Sequence, residues 1–192
     1  MSEKRFLGVT IQPMYFQSEG VDTVLDSLSD AGVTALATAP SVYEEIDELP
    51  GEDEAGSGEE LARREPPVDA GAGSVRVVER LLWGKEEVLI NPSPAAAPNM
   101  EFYAGLKYQP QPATRFTETD GHLIDDVIDG AHARGMKVYF QVSAVQVPAA
   151  HDDDMPRLPN GESPRHRMVN TAAIASDDIR GYVCARIGDL LT

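Results

Sequence analysis

The stretch Asp120-Gly121-His122-Leu123-Ile124-Asp125-Asp126-Val127-Ile128-Asp129-Gly130-Ala131-His132-Ala133-Arg134-Gly135-Met136-Lys137-Val138-Tyr139-Phe140-Gln141-Val142 reads as a helix that passes through a glycine into a strand. Leu123, Ile124, Val127, Ile128 and Ala131 recur at helical spacing and share one face. Thr119 or Asp120 can cap its start, and Gly135 can adopt the left-handed conformation that stops it. Met136 to Val142 then reads as a strand covered on both faces. A helix feeding such a strand is the building unit of a parallel α/β sheet.

The unit occurs earlier in a weaker copy. Val21, Val24, Leu25 and Leu28 make an apolar stripe, Gly32 follows Ala31, and Val33 to Ala39 reads as a strand. The junction Asp30-Ala31-Gly32-Val33 matches Ala133-Arg134-Gly135-Met136 in pattern. A first strand, Phe6 to Gln12, precedes the first helix. A third helix over about Asp177 to Leu191 spaces Ile179, Val183, Ile187 and Leu190 along one side. Ser176 suits its cap, and Asp177 and Asp178 suit the positive end of the helix dipole.

Between these units lie two long connections. Residues 51–74 are acidic and glycine-rich, with Pro66-Pro67 and Gly71-Ala72-Gly73, and read as a flexible insertion. Val75 to Ile90 predicts either a hairpin turning at Trp83-Gly84-Lys85 or a short helix and a strand. Pro92, Pro94 and Pro98 make 91–99 a rigid linker. Gln146 to Asn170 is the second irregular connection, with Asp152-Asp153-Asp154 reading as a solvated acidic loop. Connections of this length in a compact chain are usually functional, and in parallel sheets they leave from the carboxyl ends of strands.

Composition narrows the partners. The formal net charge of -16 excludes nucleic acid and anionic membrane surfaces, which need basic residues. Lys4, Lys85, Lys107 and Lys137 are the only lysines. An acidic, lysine-poor surface matches proteins of salt-loving microbes, and equally an ordinary soluble protein from a GC-rich genome. Ser2 to Arg5 is followed by too short an apolar run for an export signal, and no run approaches the roughly 20 residues of a membrane span. A cytoplasmic protein is the expectation. Cys184 has no second cysteine to pair with and reads as a buried, inert thiol.

No phosphate-binding glycine loop, nucleophile elbow or zinc-type histidine spacing is present. What remains is a set of polar and aromatic residues at strand exits. Gln12 and Tyr15 follow the first strand, Tyr43 the second and Gln141 the third, while Tyr108 stands in the long connection. Flat aromatic faces against C–H surfaces, with amides and carboxylates reading hydroxyls, are the means by which sugars are bound. Glycoside hydrolysis needs two carboxyl groups flanking the bond. Glu44, Glu45, Asp152 to Asp154 and Glu162 are the acids near strand exits, and none stands at an apolar strand end that would raise its pKa.

The run from Asp125 to Tyr139, with Tyr103-Ala104-Gly105-Leu106-Lys107-Tyr108-Gln109-Pro110, Val169-Asn170 and Ser176 to Tyr182, resembles the amino-terminal part of a (β/α)8-barrel family of glycoside-hydrolase-like proteins. The resemblance implies an incomplete TIM barrel over 1–192, holding strands 1–3 and helices 1–3, with 51–74 inserted within it. It implies a carbohydrate ligand at the carboxyl face, with Asn170 joining Gln12, Tyr15, Tyr43, Tyr108 and Gln141, and no cofactor. The family's catalytic carboxylates follow later strands, so no catalytic residue transfers and this chain alone would be inactive. A closed barrel takes roughly 250 residues, so partners would include the missing remainder of the barrel or a second copy through exposed sheet. The alternatives are a non-catalytic carbohydrate-binding or scaffold protein, and a metal-dependent sugar isomerase or amidohydrolase.

Overall fold

The computed structural model of the chain describes residues 6–46, 75–77, 88–145, 147–148, 150–162 and 172–192. The expected insertion at 51–74, the turn at 83–85 and Asn170 lie outside them. The described residues divide into two compact units. One is built from 6–45, 76–77, 88–97 and 112–142, the other mainly from 98–111, 143–162 and 172–192.

The first unit carries a parallel sheet. Strands β1 (Gly8–Thr10), β2 (Ala35–Thr38) and β6 (Lys137–Phe140) lie in the order β1-β2-β6, with Val9 opposite Leu36 and Leu36 opposite Val138. Helices α1 (Pro13–Glu19) and α2 (Val21–Asp30) connect β1 to β2, and α4 (Leu123–Ala133) leads into β6. Gly32 and Gly135 both take positive φ, 80° and 73°, where a side chain would be strained, so the repeated junction is the same physical stop used twice. Phe16, Leu25, Leu36, Val127 and Ala131 form the centre of one core, with Val9, Ile11 and Val138 packed against it. Burying side chains such as Leu25 and Leu36 stabilises by about 1.5–3 kcal/mol each.

The cap of α4 differs from expectation. Asp120 ends a separate helix, α3 (Arg115–Asp120), whose own cap is Thr114. The Thr114 hydroxyl accepts from the Thr117 N–H, and the Thr117 hydroxyl accepts from the Thr114 N–H. Gly121 then lets the chain pass against the Ala95 carbonyl.

Strand β6 is covered on one face only. Its exposure alternates, with Lys137 and Tyr139 open and Tyr139 51% exposed. The reason is the small set of residues opposite them: Gly8, Ala35 and Ala37 share that face and present little apolar surface for a helix to cover.

Among the described residues no barrel closes, and the expected partial TIM barrel is corrected. Closure needs strands to continue pairing around a ring. Among the described residues β1 and β6 each pair only with β2, and the connection after β2 builds a second sheet instead. That sheet has the order β3-β5-β4, from β3 (Ser41–Ile46), β5 (Val88–Pro94) and β4 (Val75–Val77). The Ala95 N–H, just past β5, donates to the Pro40 carbonyl, just before β3, at 3.3 Å, so these two strands run antiparallel. Asn91 to Pro94 are thus strand rather than the expected linker. In the register set by the Ala95–Pro40 bond the nitrogens of Pro92 and Pro94 face away from β3, so neither proline removes a bond to that strand.

The third helix belongs to the second unit. Helix α5 (Asp177–Asp189) buries Ile179, Tyr182, Val183 and Ala185 against Tyr103, Tyr108, Val147 and Ala172 of its own unit. A 3-10 turn over Met100–Tyr103 lies on it, tied by the Tyr103 hydroxyl donating to Asp189 at 2.9 Å. Gly188 leaves room for the Phe102 ring. Ile179 and Val183 of the expected stripe are buried, but Ile187 is 46% exposed and Cys184 is exposed rather than buried, because the buried side of α5 also takes in Tyr182 and Ala185.

Candidate functional site

The first unit gathers three of the expected residues at the carboxyl end of its parallel sheet. Gln12 follows β1 and occupies the cap position of α1, with Pro13 next. Its side chain makes no cap hydrogen bond, and its Oε1 instead accepts from the Tyr43 hydroxyl at 3.4 Å. Tyr15 and Tyr43 both pack against Met14 and Ile90. All three site residues are half-buried. Burial pushes the Tyr43 phenol above its ordinary pKa, opposed by a hydrogen bond with Ser41, so it stays protonated and able to donate.

Tyr43 is held at its backbone too. Gln17 Nε2 donates to the Tyr43 carbonyl and Gln17 Oε1 accepts from the Tyr43 N–H, each at 2.9 Å. Beside this clamp lies an open groove of about 490 Å³. Phe16, Tyr43 and Phe116 supply its aromatic wall, and Glu44, Glu45 and Asp120 its carboxylates. Arg115 reaches Glu44 at 4.0 Å, a long contact between exposed groups.

The other expected residues are placed differently. Gln141 is exposed just beyond β6, its N–H donating to the Thr38 carbonyl at 2.8 Å. Thr38 itself ends β2 fully buried, and its hydroxyl has no partner among the described residues. Tyr108 belongs to the second unit and is 3% exposed, so its ring faces core neighbours and is not open to a ligand.

Tyr108 belongs to a network around Asp154 that sequence reasoning missed. The Asp154 carboxylate accepts from Lys107 Nζ at 2.5 Å, Tyr108 Oη at 2.5 Å and Ser176 Oγ at 2.6 Å. Asp154 is therefore buried and paired, which corrects the solvated-loop reading at this residue, while Asp152 and Asp153 are exposed. Those hydrogen bonds, Lys107 first, then Ser176 and Tyr108, hold its carboxyl well below the usual carboxylate range. The hydrogen bond to Asp154 raises Lys107, and burial followed by the same bond raises Tyr108. An acid held ionised this firmly does not donate a proton at neutral pH, and its hydrogen bonds lock three segments together. The one signal in the sequence is Ser176, expected as a helix cap. It occupies that position but turns its hydroxyl to Asp154.

Among the described residues no helix is long and apolar enough to cross a membrane. Compared with known proteins, the chain matches no family, no curated protein and no solved structure.

Proposed function

We propose that this chain binds carbohydrate without hydrolysing it, through Gln12, Tyr15 and Tyr43. The observation that carries the reading is the convergence of two half-buried tyrosine rings and a carboxamide at one end of the parallel sheet. The rings offer apolar faces, and the phenol and the amide offer both a donor and acceptors for hydroxyl groups. The expectation of a hydrolase leaned on a resemblance to the opening part of a barrel, which the described strands do not build, and Asp154 is an ionised carboxylate already accepting three hydrogen bonds. The reading is therefore confined to binding. Calorimetric titration of the full chain against a panel of neutral and charged oligosaccharides tests it. At least one glycan should bind, and Tyr15→Ala should weaken that binding about tenfold, the loss of roughly one stacked ring at about 1.4 kcal/mol. Failure of every glycan to bind would overturn the reading.

A further inference from the structure

Among the described residues strand β3 is the end strand of its sheet, and Gln17 already plays the part of a neighbour to it. A residue of an added antiparallel strand would exchange the same two hydrogen bonds with Tyr43, N–H to carbonyl in each direction. The register supports an outward-facing backbone here. Continued regularly from the hydrogen-bonded Ala95–Pro40 pair, it sets Tyr43 opposite Pro92 as a non-hydrogen-bonded pair, which turns the Tyr43 N–H and carbonyl away from β5. The groove with the half-buried Phe116 in its wall runs alongside, so side chains of an added strand have apolar surface to cover.

We propose that this edge is a docking site for an extended, basic peptide segment of a partner protein, which adds as a strand to β3 and displaces the Gln17 carboxamide. Charge complementarity identifies the partner. Among the described residues lining the groove, Glu44, Glu45 and Asp120 are carboxylates and none is basic, on a chain of net charge -16. Main-chain pairing gives affinity in such additions, and the flanking side chains give specificity. Gln17 is the internal competitor. The incoming strand replaces its two bonds one for one, so removing the carboxamide favours the peptide. This site uses the Tyr43 backbone, whereas the glycan reading uses Gln12, Tyr15 and the Tyr43 phenol, so the two stand or fall separately.

The test is fluorescence anisotropy with a labelled peptide of alternating lysine and valine, added to the full chain and to Gln17→Ala. The peptide should bind the wild type, and Gln17→Ala should tighten binding by about threefold to tenfold. Glu44→Gln with Asp120→Asn should weaken it, as should added salt. The same peptide N-methylated along one edge should not bind. Circular dichroism checks the fold of each variant, and Gln17→Asn, whose shorter amide keeps its polarity, replaces Gln17→Ala should the latter not fold. Equal binding of the N-methylated peptide, equal binding of a glutamate–valine peptide, no binding by either protein, or weaker binding by the Gln17 variant would each overturn the proposal. Dimerisation of the variant in place of peptide binding would overturn it in favour of a second copy.

Discussion

Placing an alanine at Gly130 probes the contact between α2 and α4 that holds the first unit together. A Cβ there would stand 2.7 Å from Leu25 Cδ1, about 1 Å inside the usual carbon–carbon separation. Leu25 is fully buried among Phe16, Leu36 and Val127, so its methyl cannot swing clear. Two effects of opposite sign compete. Glycine to alanine in a helix gains about 1 kcal/mol of propensity, while overpacking a filled core costs about 1–3 kcal/mol. The clash wins, and Gly130→Ala should lose about 1 kcal/mol. Leu25→Ala alone should lose about 3 kcal/mol by opening a cavity. In that background the obstructing methyl is gone, and Gly130→Ala should now stabilise by about 1 kcal/mol. The coupling between the two sites is then about 2 kcal/mol. Urea unfolding followed by far-ultraviolet circular dichroism on the four proteins measures it. A stabilising Gly130→Ala in the wild-type background, or additivity of the two changes, would refute the reasoning.

Gly121→Ala should cost more, about 3 kcal/mol by the same unfolding assay, because the added methyl meets the backbone carbonyls of Ala95 and Thr117, which cannot step aside. Gly188→Ala should cost under about 1 kcal/mol, since it meets only the partly exposed ring of Phe102, which is free to turn. Leu36→Ala, at the centre of the parallel sheet, should lose about 3 kcal/mol in the same measurement. Asp154→Asn should lower the melting temperature at neutral pH. The Asp154 carboxyl pKa is depressed in the folded chain, so its contribution is complete above the unfolded value of about 3.9 and fades as pH falls toward the lower folded value. The gap in melting temperature between the wild type and the Asp154→Asn variant should therefore be steady around neutrality and narrow below about pH 4. A gap that widens in acid would contradict the assignment of the Lys107, Tyr108 and Ser176 bonds.

The sequence by itself determined the repeating rhythm of the first unit. Val24 and Leu25, then Ile124, Val127 and Ala131, mark buried helical faces, and Gly32 and Gly135 mark the stops. Each is legible because periodicity and left-handed glycine act over a few residues. It also pointed to Gln12, Tyr15 and Tyr43 as strand-exit residues, and the fold brings these together. Tertiary structure alone decided the rest. The Gln17 clamp spans 26 residues, and Asp154 draws on Lys107 at a separation of 47 and on Ser176 at 22. Three consecutive aspartates are chemically identical in the sequence, and only the arrival of donors from remote segments makes one of them a buried anchor. The choice between a barrel and two sheets belongs to the same class. Strand patterns record which residues avoid water, but which strands pair depends on backbone hydrogen bonds between distant segments, and those carry no side-chain signature.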